Sequence, residues 1–129
     1  MSKEQAETRW PPTLRRELQD KVVCITGAAG GIGQAIAEAF AWEGAHLALL
    51  DLNEAGLEKL AAALRPTGTT VHTVVADLST EQGVREGMLT ALAPYEGAID
   101  ILVANVGVLI ADPFETLESW QWQEAFAIN

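Results

Sequence analysis

Four glycines, Gly27, Gly30, Gly31 and Gly33, stand between the apolar run VVCIT (residues 22–26) and an apolar pattern at helical spacing, Ile32, Ile36 and Phe40. Glycine inside a regular element costs roughly 0.5–1 kcal/mol relative to alanine, so such a cluster needs a conformational or steric reason. The rest of the chain repeats the succession of short apolar run and helical pattern. HLALLD (46–51) precedes Leu57, Leu60 and Leu64, a helix that stops near Pro66-Thr67-Gly68. VHTVVAD (71–77) precedes a helix to about Leu92, opened by Ser79 and Gln82 as a capping box. IDILVAN (99–105) precedes LESWQWQEAFAIN (117–129). Continuous apolar strands alternating with helices predict an α/β fold, a parallel sheet covered on both faces with right-handed crossovers.

At 129 residues the chain suffices for one domain burying roughly two-thirds of its unfolded surface. Eighteen acidic against eight basic residues give a formal net charge of -10, and Arg15-Arg16 is the one basic cluster. That balance argues against nucleic acid and anionic membrane as partners. The lone cysteine, Cys24, lies in an apolar run and reads as a small buried hydrophobe. The opening MSKEQAETRWPP is charged, and the most apolar later stretch, ILVANVGVLIA (101–111), is too short to span a bilayer. A cytoplasmic protein is expected. Residues 1–20, with Trp10-Pro11-Pro12 and a short helical turn within TLRRELQD, read as an N-terminal arm, and residues 21–129 as the domain.

A glycine-rich turn between the first strand and the first helix is where an open α/β sheet takes a dinucleotide pyrophosphate. The backbone must turn tightly and approach the phosphates, and the helix N-terminus supplies N–H donors. Gly27, Gly31 and Gly33 fall where those needs arise, although counting from Gly31 puts Ile36 where the commonest fingerprint has glycine or alanine. Asp51 closes the second strand, where a carboxylate can accept the ribose hydroxyls of the adenosine half. Its alternatives are a helix cap or a solvated acid.

Residues 26–33 also read as T-G-x-x-x-G-I-G. With Asp51-Leu52, Asp77-Leu78 and ANVG (104–107) closing the second, third and fourth strands, the chain resembles the classical short-chain dehydrogenase/reductase family over residues 21–129. The resemblance implies the first four units of a Rossmann-type, doubly wound parallel sheet of strand order 3-2-1-4. It implies cofactor binding by Gly27, Gly31, Ile32, Gly33, Asp51, Leu52, Asp77, Leu78, Asn105 and Gly107. Asn129, which ends the helix bearing Trp120, matches the family's catalytic asparagine, the holder of a water in the proton-relay path. Ala104 and Val106 depart from the family's Asn-Asn-Ala-Gly. Gly27, Gly30 and Gly33 also fit the G-x-x-G-x-x-G of the extended dehydratase/epimerase branch, but ANVG favours the classical one. NAD is expected over NADP, since Asp51 would repel a 2′-phosphate and neither Gly30 nor Leu52 offers a basic partner.

The family's reaction is hydride transfer between nicotinamide and an alcohol or carbonyl carbon. A Tyr activated by a Lys four residues later moves the proton, and a Ser holds the substrate oxygen. Here Tyr95 is the only tyrosine, Ile99 stands four residues on, and no lysine follows Lys59. The 129 residues are therefore expected to be the cofactor half of a small-molecule oxidoreductase, inactive alone, with the catalytic Ser and Tyr-x-x-x-Lys in a portion beyond them. The alternative is a non-catalytic module that binds a nucleotide or a partner. Ile110, Asp112 and Phe114 would line one pocket wall or pack as a loop. A homo-oligomer is implied by the resemblance, with Trp120, Trp122 and Phe126 as the aromatic content of the last helix.

Overall fold

In a computed structural model, the described residues are 17–108 and 112–129. Trp10-Pro11-Pro12, the first half of TLRRELQD and Ile110 lie outside them. VVCIT forms β1 (Val22–Thr26), buried from Val23 to Thr26. It pairs in parallel with β2 (His46–Asp51) on one side and β4 (Ile101–Val103) on the other, and β2 pairs in parallel with β3 (Val71–Val75). The order is β3-β2-β1-β4, as expected from the resemblance. Helices α1 (Gly31–Trp42), α2 (Glu54–Leu64), α3 (Glu81–Leu92) and α4 (Ser119–Ile128) follow the four strands.

The central strands β1 and β2 are nearly continuous apolar runs because both faces of the sheet are covered there, and side chains alternate between those faces. Val23, Ile25, Leu47 and Leu49 point to one side, where they meet Ala37 and Ala41 of α1 and Leu57, Leu60 and Leu64 of α2. Cys24, Ala48 and Leu50 point to the other, where Ala91, Met88 and Leu92 of α3 cover them. At the foot of the sheet Leu18 packs against the first of these clusters. The Asp100 carboxylate accepts from the Val22 N–H (2.9 Å) and joins the entries of β4 and β1.

Local chemistry moves several boundaries. The third and fourth strands are shorter than the apolar runs, because residues 76–77 and 104–105 have already left the ladder to shape the sheet's C-terminal rim. Helix α1 buries Gly33, Ala37 and Ala41 rather than Ile32, which is 72% exposed. Small residues one turn apart let α1 lie close on the sheet, and that face carries Ile32 away from it. Helix α3 is capped by Thr80, whose Oγ1 accepts from the Gly83 N–H (3.0 Å), not by Ser79. Ser79 is engaged by Asp77 and Gln82 by Glu86, so the expected box has neither of its members free. A capping box does form at α4, from Glu118 and Gln121.

Candidate functional site

The C-terminal rim of the sheet is built around Gly27, which leaves β1 with φ of +64°, in the left-handed region. A Cβ on Gly33 would run into the carbonyl oxygen of Gly27 and approach the Ala28 Cα to 2.8 Å. The chain itself therefore demands glycine at both positions. At Gly31 a Cβ would meet nothing within 4 Å, so that glycine leaves open space above the turn rather than relieving a clash below it. Among the described residues no side chain caps α1. Its first-turn N–H groups, which lack intrahelical acceptors, and its positive dipole end are available to an anion.

Asn105 joins the end of β4 to this turn. Its N–H donates to Thr26 Oγ1 and its Nδ2 to the Gly27 carbonyl, both at 3.1 Å. Ala104, which replaces the family's first asparagine, is exposed and takes no part in this link.

Asp51, at the end of β2, accepts from the Ala29 N–H at Oδ2 (3.0 Å) and from the Asn53 N–H at Oδ1 (2.9 Å). It is not the cap of α2; Asn53 is, accepting from the Gly56 N–H (3.0 Å). Two backbone donors fix the carboxylate while each oxygen keeps a lone pair for a further donor. At the end of β3, Asp77 Oδ1 accepts from Ser79 Oγ (2.6 Å) and the Ser79 N–H (3.0 Å). These bonds hold the Asp77 carboxyl below the ordinary carboxylate value.

Two cavities of about 350 Å³ and 180 Å³ open along this rim and share Gly27, Asp51 and Val106. Gly30, Gly31, Ile32, Asn105 and Gly107 line the first. Leu52, Asp77 and Leu78 line the second. Of the residues singled out in the sequence, Gly33 lies beneath the groove as a spacer. Asn129 stands beside it, bonded to the backbone of Val108. Val106, Val108 and Ile128 complete the wall; Val106 lies within ANVG, where the sequence marks it only as a departure from the family pattern, and no motif singles out Val108 or Ile128. Asp112 accepts from Gln121 Nε2 (2.6 Å), and Phe114 packs edge-on against Trp122, so both belong to the α4 loop rather than to this groove.

Tyr95 and Cys24 are remote in role. The Tyr95 hydroxyl donates to the Leu47 carbonyl (2.6 Å) at the start of β2, the opposite end of the sheet. Burial pushes its pKa up to about 12, the reverse of what a proton-transferring tyrosine needs. Cys24 is wholly buried beside Met88, and desolvation raises its pKa to about 11. Among the described residues no group of three or more His, Cys, Asp or Glu is placed to hold a metal ion, and no helix is long and apolar enough to cross a membrane.

A family model described as short chain dehydrogenase matches residues 21–129, the turn, the rim and all four strands included. The chain belongs to the short chain dehydrogenase family. Among its relatives, a D-threitol dehydrogenase from Mycolicibacterium smegmatis is 43% identical over 115 residues, 87% of this chain and 43% of that one. An NAD+-bound xylitol dehydrogenase structure superposes with a TM-score of 0.81 at 34% identity, covering 87% of this chain and 43% of the other. The L-sorbose reductase of Gluconobacter frateurii, complexed with NADPH and L-sorbose, gives a TM-score of 0.80 at 33% identity, covering 88% and 43%. The chain thus spans less than half the length of these relatives. Family membership accords with the parallel sheet of order β3-β2-β1-β4.

The residues at this rim fit a dinucleotide. The open space above Gly31, the uncapped helix start and the fixed Asp51 carboxylate lie on one groove, and they have the chemistry that a pyrophosphate and ribose hydroxyls would require.

Proposed function

We propose that residues 21–129 form the NAD-binding domain of a dehydrogenase that exchanges hydride with a small alcohol or carbonyl substrate, preceded by an arm over residues 1–20. The bound dinucleotide would supply the hydride donor or acceptor. Backbone N–H groups at Gly31, Ile32 and Gly33 would hold the pyrophosphate, Asp51 the adenosine ribose, and Leu52, Asp77 and Leu78 the adenine edge. Asn105 would keep the turn closed from below, and Gly107 and Asn129 would shape the end toward nicotinamide. The observation that carries this reading is the pairing of an open Gly31 with Asp51 held by two backbone donors on one groove.

NAD is the preferred cofactor in this reading. Asp51 meets a 2′-phosphate with like charge, and neither Gly30 nor Leu52 brings a cation. The 129 residues bind the adenosine end without redox turnover, because their only tyrosine is committed to the far end of the sheet. A buried thiol and the charged composition fit the cytoplasm, and the exposed aromatics of α4 fit a homo-oligomer.

Calorimetric titration with NAD, NADP and ADP-ribose tests this. NAD and ADP-ribose are expected to bind comparably, and NADP more weakly. Asp51→Ala should narrow the NAD preference by about tenfold, the worth of a charge-assisted contact. Tighter NADP binding would overturn the cofactor assignment, and NADH formation by the purified chain with any alcohol would overturn the claim of inactivity.

A further inference from the structure

Helix α2 starts beside the glycine turn, and Gly56 sets how near it comes. A Cβ on Gly56 would lie 2.8 Å from the Ala29 Cβ and 2.8 Å from Asn53 Nδ2. Non-bonded carbons prefer about 3.5–4.0 Å, so an alanine at 56 requires a neighbour to move. The Asn53 amide ends a side chain and can swing, though only by giving up its cap on the Gly56 N–H (3.0 Å). Ala29 is held at both ends of its backbone: its N–H donates to Asp51 Oδ2 (3.0 Å), and its carbonyl accepts from Gln34 Nε2 (2.8 Å). Ala28, preceding it, is wholly buried. A push on the Ala29 methyl is therefore felt at the hydrogen bond that aims Asp51. Without that contact, alanine would be the better residue in the first turn of a helix.

We propose that Gly56 is a positioning residue for nucleotide selectivity. By letting α2 close on Ala29 it preserves the Ala29 N–H to Asp51 bond, and so holds the carboxylate where it admits ribose hydroxyls and repels a 2′-phosphate. The proposal rests on reading the groove as a nucleotide site.

The full chain is compared as wild type, as Gly56→Ala, and as Gly56→Ala combined with Ala29→Gly, which deletes the methyl that the new Cβ meets. The first readout needs no ligand: the downfield shift of the residue-29 amide proton, by NMR, that a carboxylate acceptor produces. That shift should shrink in Gly56→Ala and return in the double variant. The second readout is the ratio of NAD to NADP affinity by calorimetry, which should fall about tenfold in Gly56→Ala and recover in the double variant. An unchanged amide shift in Gly56→Ala overturns the steric link, as does an unfolded Gly56→Ala that Ala29→Gly fails to rescue. A changed shift with an unchanged ratio overturns the role in selectivity. If the wild-type amide is shifted but neither nucleotide binds, the nucleotide reading falls and takes the selectivity role with it, while the Ala29 to Asp51 bond stands.

Discussion

Asn129 and Val108 are joined by two hydrogen bonds: the Val108 N–H donates to Oδ1 and Nδ2 donates to the Val108 carbonyl, each at 3.0 Å. One carboxamide thus serves both polar groups of one backbone residue, as a neighbouring strand would, and ties the end of α4 to the segment leaving β4. Gly107 fits this closeness, since a Cβ there would come within 3.0 Å of Asn129 Oδ1. Asn129→Asp retains the acceptor but sets an anion against a carbonyl. It should lower stability by about 1–2 kcal/mol in urea unfolding and speed hydrogen exchange at the Val108 amide. Unchanged exchange would show that water replaces the pair without loss.

The two flanking glycines of the turn should respond oppositely to the same methyl group. Gly33→Ala drives a Cβ into backbone atoms of Gly27 and Ala28, so a loss of about 1–3 kcal/mol is expected from thermal or denaturant unfolding. Gly31→Ala meets open space, so its stability should stay within about 0.5 kcal/mol of wild type. Nucleotide affinity should nevertheless drop, because the methyl occupies room left above the turn. Retained affinity in Gly31→Ala would place the phosphates elsewhere.

Much of this rim was legible because its demands are local. A strand of continuous apolar residues announces two covered faces, and a carboxylate closing such a strand sits at the rim whatever follows it. Ser79 and Thr80 could not be told apart in the sequence: both are good caps, and the choice falls to Thr80 only because Asp77, three-dimensionally placed by β3, takes Ser79. Ile32 misled for a similar reason. Helical spacing fits it to the core face, but the close approach allowed by Gly33, Ala37 and Ala41 fixes a different face inward. The contact of Gly56 with Ala29 joins two elements through space and leaves no trace in spacing at all.

Tyr95 offers a spectroscopic check of its buried role, since no other tyrosine contributes to a tyrosinate signal. Its folded pKa of about 12 exceeds the ordinary value of 10.0. The neutral phenol is the form the fold stabilises, so this contribution is intact below pH 10.0 and is lost as pH rises toward about 12. An absorbance titration should therefore show tyrosinate appearing late, or abruptly with unfolding. Tyr95→Phe should lose the bond to Leu47 at neutral pH but show a flatter decline in stability over the same alkaline range. A midpoint near 10.0 in folded protein would contradict the burial.

Exposed apolar side chains include Leu102 on the β4 edge and Trp120, Trp122 and Phe126 on α4. Among the described residues β4 has a ladder partner on one side only, β1, and Leu102 in its centre is 53% exposed. On α4, Trp122 stacks on Phe126 with ring centroids 6.1 Å apart and receives Phe114 edge-on at 6.0 Å, yet all three remain exposed. Trp120 does not turn inward as core either; it is exposed and donates to Glu118 (2.9 Å). An open strand edge beside an aromatic patch favours association, because pairing satisfies backbone groups and removes apolar area together. Sedimentation of the chain is expected to show a dimer or larger species whose population rises with concentration. Trp122→Asp and Phe126→Glu, which place charge on the patch, should shift it to monomer while the melting temperature of the dilute protein changes little, since neither side chain supports the core. A wild-type chain that stays a single monomeric species at high concentration would rule out this surface as a self-association site, and monomerisation accompanied by loss of the fold would instead assign the aromatics to stability.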